Sequence, residues 1–155
     1  MARSLARPIL TATLIAGTLD ILAAVTMTLL NGRDTMAMLR YVGSGPFPGA
    51  TGMGTAGSLL GLAVHFALMA IMATIFVLAA SRIRALWHNP LLWGFLYGVG
   101  TYVVMNLIVV PWRFNRPLPS TLETIGPQLA FHIFLVGIPI ALVAAKHFRS
   151  RSAFA

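Results

Sequence analysis

Apolar positions in this chain gather into four long stretches, and each stretch carries one strongly polar side chain. They run roughly over Pro8–Leu30, Ser58–Ala80, Leu91–Trp112 and Ile125–Ala145, with Asp20, His65, Asn106 and His132 inside them. A helix needs about 20 mostly apolar residues to cross the hydrocarbon core. The pattern therefore predicts an all-α protein, a single integral membrane domain over residues 1–155 with four transmembrane spans. Ionisable side chains within a span are rare and mark functional positions, so the four polar residues are the first candidates for a site.

The 3.6-residue period assigns faces to each span. In span one, Thr13, Gly17, Asp20, Ala24 and Met27 share a stripe, with Ile15, Leu19, Leu22 and Leu29 opposite. Span three repeats this with Gly94, Gly98, Tyr102 and Asn106 against Leu92, Leu96, Val103, Leu107 and Val110. Small residues at that spacing let helices approach closely. Span two groups Gly61, His65, Met69 and Met72, and span four groups Gln128, His132, Leu135 and Pro139. Spans two and four also carry second small-residue stripes, Ala63/Ala67/Ala70/Thr74 and Ala130/Gly137/Ala141, which can hold a neighbouring helix or another protomer. Pro139 predicts a kink in span four that frees the Leu135 carbonyl.

At a rise of roughly 1.5 Å per residue, Asp20 lies about 18 Å from the start of span one. His65, Asn106 and His132 each lie about 10 Å from the far end of the bilayer core by the same measure. Short connections favour an up-down-up-down bundle. In it, spans two and four face each other across one diagonal, and the four polar residues close into a ring. Tyr102 and Gln128, one turn from Asn106 and His132, complete the candidate ligand- or ion-binding set.

Charge fixes an expected orientation. Arg3, Arg7, Arg82, Arg84, Lys146, Arg149 and Arg151 fall on one side of the spans, whereas Arg33, Arg40, Arg113 and Arg116 fall on the other with Asp34 and Glu123. The side richer in Lys and Arg is cytoplasmic, which puts both termini there. The formal net charge of +8 thus reads as topology and attraction to anionic headgroups. Nucleic-acid binding is not expected, because no polar face interleaves basic and aromatic residues. Trp87, Trp93 and Trp112 sit near the ends of span three, where an aromatic belt forms. The basic MARSLAR lead resembles a signal peptide, but Asp20 interrupts the long apolar run behind it and no small-x-small cleavage site follows. An uncleaved first span is expected.

Outside the spans, Asn31–Gly57 is long for a connection in a compact bundle. Asp34 can cap a short surface helix. Six glycines then fall within Gly43–Gly57, which reads as a flexible connector or as a mobile lid over the outer mouth. It is no phosphate-binding loop, since no Gly-Lys-Ser/Thr follows. His88 lies in a His-Asn-Pro turn exposed to solvent, and His147 lies in the basic tail near headgroups. The methionines of span two read as packing.

Three chemistries fit the polar ring. The first is a structural network in which Asp20 accepts N–H groups from both histidines and Asn106 completes the pattern. The second is a site for a small ligand, proton or ion. The third is a bound group, either haem on His65 and His132 or a divalent metal on those histidines with Asp20. No serine lies in the polar layer, so a serine–histidine–acid set is absent, and no cysteine exists for thiolate chemistry. The expected role is non-enzymatic ligand, proton or ion binding, with an accessory or scaffold subunit of a larger membrane complex, or a homo-oligomer, as the alternative.

The run Gly61-Leu-Ala-Val-His65-Phe, the stretch Gly98 through Met105-Asn106 to Pro111, and Phe131-His132-Ile with Gly137-Ile-Pro139 resemble the YagU-like group of small bacterial inner-membrane proteins. That resemblance covers most of spans two to four. It implies a multi-pass protein of the bacterial inner membrane, and carries no catalytic role with it.

Overall fold

Helical hydrogen bonding continues past each apolar run until a particular residue stops it, so the observed helices overrun the predicted spans. Four are long and apolar enough to cross a membrane: Ala6–Leu30, Gly54–Arg82, Pro90–Phe114 and Leu122–Ser150. The computed structural model describes residues 5–152, and these contain no strand. Arg3, part of the charge asymmetry, lies outside the described residues.

Helix α1 (Ala6–Leu30) ends where the Asn31 side-chain amide donates to the Met27 carbonyl at 2.7 Å and Gly32 takes a φ of +64°. Glycine enters that left-handed region without a Cβ penalty. Asp34 caps α2 (Thr35–Gly43) by accepting from the Met36 N–H at 2.8 Å, as the sequence predicts. A short 3-10 turn, Pro48–Gly52, leads into α3 (Gly54–Arg82).

The expected connector or lid over Gly43–Gly57 is instead a tight turn and the start of α3, and the expected short helix α2 docks on α3 beside it. A Cβ on Gly61 would run into the Leu39 carbonyl, and one on Gly57 into the Ala50 carbonyl. These glycines are contact points where backbone meets backbone. Ser58 Oγ donates to the Met36 carbonyl at 3.0 Å. From the far side, the Arg113 guanidinium donates to the carbonyls of Ser44 and Gly45, and Phe114 stacks on Tyr41 at 4.3 Å.

Two short helices follow in sequence, α4 (Ala85–His88) and α5 (Pro90–Tyr102), the latter with proline at its first position, where no N–H is needed. Span three then widens into a π-helical segment, Val103–Val109, before α6 (Val110–Phe114). Span four does the same: α7 (Leu122–Phe131), a π segment His132–Gly137, then α8 (Ile138–Ser152). Each π segment ends two residues before a proline, Pro111 or Pro139. Proline lacks a donor and its ring presses on the carbonyl four residues back. In both cases that carbonyl, Leu107 or Leu135, lies inside the π segment, where the wider turn relieves the clash.

Span four is the hub. The α8 helix packs on α1, α3 and α5 alike, so spans two and four touch directly rather than facing each other across a square. Spans two and three meet through side chains: Tyr97 Oη donates to the Met72 carbonyl at 2.7 Å, and its ring lies 5.0 Å from that of Phe76. A Cβ on Gly98 would lie 2.5 Å from the His132 carbonyl oxygen, and one on Gly94 2.7 Å from the Ile138 Cα. The Gly94/Gly98 stripe therefore receives span four, whose Gly137 and Ala141 point into it. In membranes such contact replaces hydrophobic driving force with dispersion and close backbone approach. The dry core of Ala12, Ala16, Ala73, Val77, Ala80, Ile140 and Ala144 fills the half nearer the termini, leaving the polar residues to the other half.

Candidate functional site

The span-one face is as the period predicts: Thr13 and Gly17 are buried, while Leu19, Leu22 and Leu29 point outward. This turns the Gly17 carbonyl and the Asp20 side chain toward α3. There His65, only 7% exposed, sets its Nε2 2.9 Å from the Gly17 carbonyl oxygen. A carbonyl can only accept, so Nε2 carries a hydrogen. The other ring nitrogen, Nδ1, lies 3.9 Å from Asp20 Oδ2. Nδ1 and the carboxylate thus face each other beyond hydrogen-bond distance but within ion-pair range. Phe66 packs edge-on to the imidazole at 5.3 Å and helps exclude water.

His132 occupies a different setting. Its Nδ1 lies 2.8 Å from the Gln128 carbonyl of its own helix. It is half-buried and remains close enough to Asp20 to interact with it electrostatically. Tyr102 lies edge-on to His132 with ring centroids 5.8 Å apart. The phenol is 5% exposed and its hydroxyl has no hydrogen-bond partner.

The structure thus joins Asp20 to His65, keeps His132 within electrostatic reach, and pairs Tyr102 with His132. It does not close the expected ring through Asn106. That residue, with Gln128, instead lines a cavity of about 780 Å³ between the far ends of spans one, three and four. The cavity walls include Ala24, one turn beyond Asp20, and Phe131, next to His132. It is an open vestibule directly above the Asp20 layer.

Span four departs most from expectation. Gln128 is exposed and His132, Leu135 and Pro139 are half-buried, whereas Ile133, Val136, Gly137, Ile140 and Ala141 form the buried face. The π turn and the glycine contact with α5 together rotate the buried stripe away from the predicted one. His147 also differs: its ring packs on Phe148 at 5.2 Å and its Nε2 is buried. His88 is exposed as expected and stacks on Trp87 at 4.5 Å.

His65 Nε2 is taken by the Gly17 carbonyl and its Nδ1 faces Asp20, whereas His132 Nδ1 is taken by its own helix at Gln128. Among the described residues no three His, Asp or Glu side chains are grouped to hold a metal ion.

Sequence reasoning missed the Gly17 carbonyl as the histidine's partner and missed Arg33 and Arg116 on the vestibule wall. A backbone acceptor leaves no mark in residue identity. The prolines at 111 and 139 were the available signal for the widened helices. No protein-family model matches the chain, and neither a curated protein nor a solved structure is significantly similar to it.

Proposed function

We propose that this chain is a non-enzymatic, multi-pass protein of the bacterial inner membrane whose Asp20–His65 pair binds a proton beneath an extracytoplasmic vestibule. In this reading the four spans alternate in direction and both termini are cytoplasmic, following the Lys/Arg excess at the terminal end. One observation carries the site: a histidine whose Nε2 is fixed on Gly17 while its Nδ1 stands 3.9 Å from a carboxylate. Such a pair sets two groups that can each carry a proton side by side, with an open cavity one turn away.

Infrared difference spectra of the full chain in nanodiscs, stepped in pH, test the site. A protonated-carboxyl band that disappears in Asp20→Asn and moves in His65→Gln is expected. A spectrum unchanged by both substitutions refutes the reading. Reporter fusions at both ends test the orientation, and a terminus found outside overturns it.

A second reading, an accessory subunit or homo-oligomer, draws on Ala63 and Ala67, which lie exposed on span two. With no native cysteine, disulfide cross-linking of Ala67→Cys in membranes is a clean test. Absence of any cross-linked species there removes that interface.

A further inference from the structure

We infer that the vestibule binds an amphiphilic oxyanion, a phosphate or carboxylate on an apolar body, between Arg33 and Arg116. Four arginines lie at the loop end of the bundle, and they divide by what their side chains do. Arg40 contacts Asp34 and Ser58, each at 3.5 Å. Arg113 donates to the carbonyls at the end of α2 and lies 5.3 Å over the Phe114 ring. Both therefore hold the fold together. The side chains of Arg33 and Arg116 have neither an ion pair nor a hydrogen bond among the described residues. Those are the two that line the cavity of about 780 Å³.

Glu123 shares the cavity yet pairs with neither arginine, so two cations face one anion. The N-terminal turn of α7 also opens here, and its backbone N–H groups add partial positive charge. Guanidinium groups bind oxyanions through paired, charge-assisted hydrogen bonds. Met27, Met38 and Phe131 offer an apolar wall in the same cavity. The volume lies within the usual range of small-molecule sites. A charged head at the arginines and an apolar body against the methionines and Phe131 fits this division. The same chemistry is offered by an anionic lipid headgroup and by a soluble amphiphile.

The site is distinct from the proton pair of the proposed function, and the two can fail separately. Full-length protein in phosphatidylcholine nanodiscs is titrated with octyl phosphate by calorimetry, with octanol and octyltrimethylammonium as controls. Saturable binding of octyl phosphate alone is expected. The Arg33→Gln/Arg116→Gln double variant should bind about tenfold more weakly, or worse. Its thermal unfolding should be unchanged, since neither side chain holds structure. Raising the salt should weaken wild-type binding, which decides the matter independently if the double variant fails to fold. Phosphatidylglycerol added to the disc should compete if a headgroup is the resident, and leave binding unchanged if a soluble amphiphile is; either result keeps the oxyanion site. Equal affinity in the double variant, or octanol binding as tightly as octyl phosphate, overturns it. The Asp20 carboxyl band should persist in the double variant, which separates this result from the proton reading.

Discussion

Spans one and two and spans three and four handle polar groups in opposite ways. In the first pair the helices stay regular, α2 is clamped on the end away from the termini, and His65 is enclosed against a backbone carbonyl. In the second pair proline-widened turns carry Asn106 and His132, and both helices open onto the vestibule. The first arrangement fixes His65 Nε2 on a backbone carbonyl. Among the described residues, the second leaves the Asn106 side chain without a hydrogen bond and buries an unpartnered Tyr102 hydroxyl. Spans one and two thus pack closely around His65, and the end of span one joins the looser spans three and four in walling the cavity. The π segments belong with the open half, since such segments recur at functional sites.

The largest test strikes the closed half at its tightest contact. Gly61→Val forces a branched side chain into the Leu39 carbonyl and should cost about 3 kcal/mol or prevent folding, beyond ordinary overpacking. Gly126→Ala, in α7 of the open half, meets nothing within 4 Å. It should stabilise by up to about 1 kcal/mol through helix propensity. Thermal unfolding in one detergent compares them directly. Equal effects would mean that the two halves do not differ in packing.

The histidines give the next contrast. His65→Ala leaves Asp20 without its partner and removes the second hydrogen bond to the Gly17 carbonyl, at a cost of about 3 kcal/mol. His132→Ala removes a bond to its own helix and an edge contact with Tyr102 and should cost less than His65→Ala, about 1 kcal/mol. Chemical denaturation of the two variants reads the difference. If His132→Ala is the more damaging, the closed and open assignments are reversed.

Much of this division was legible in the residues. Span-one faces followed from period alone, because α1 is regular along its whole length and Asp20 has no competitor on its stripe. Asp34 was readable as a cap because that role needs only local geometry. The span-four face was not, since a six-residue π turn breaks the period on which facing depends. Nor was the docking of Gly43, Gly57 and Gly61: glycine marks permissiveness, and only the long-range partner decides between slack and close contact. Arg33 and Arg116 were visible as charges, but their shared cavity arises from chain ends distant in sequence.

Pro139→Ala probes the widened turn with a smaller effect. Restoring an N–H at 139 removes the cause of the π segment over His132–Gly137. Amide hydrogen exchange at residues 135–138 should slow, and stability should change by less than about 1 kcal/mol, because α8 keeps its packing. Unchanged exchange would assign the π turn to the Gly98–Gly137 contact instead of to proline.

The smallest expected effect concerns Tyr102. Its hydroxyl is buried without a partner while its ring contacts His132. An unsatisfied buried hydroxyl costs about 1 kcal/mol or more, so Tyr102→Phe, which keeps the ring, should raise stability by about 1 kcal/mol. Combining it with His132→Ala sharpens the reading, because an idle hydroxyl leaves the two effects additive within about 0.5 kcal/mol. A loss of stability in Tyr102→Phe, with coupling to His132, would reveal a partner for the hydroxyl. The polar groups of spans three and four would then be as fully satisfied as His65, and the contrast between a closed and an open half would fail.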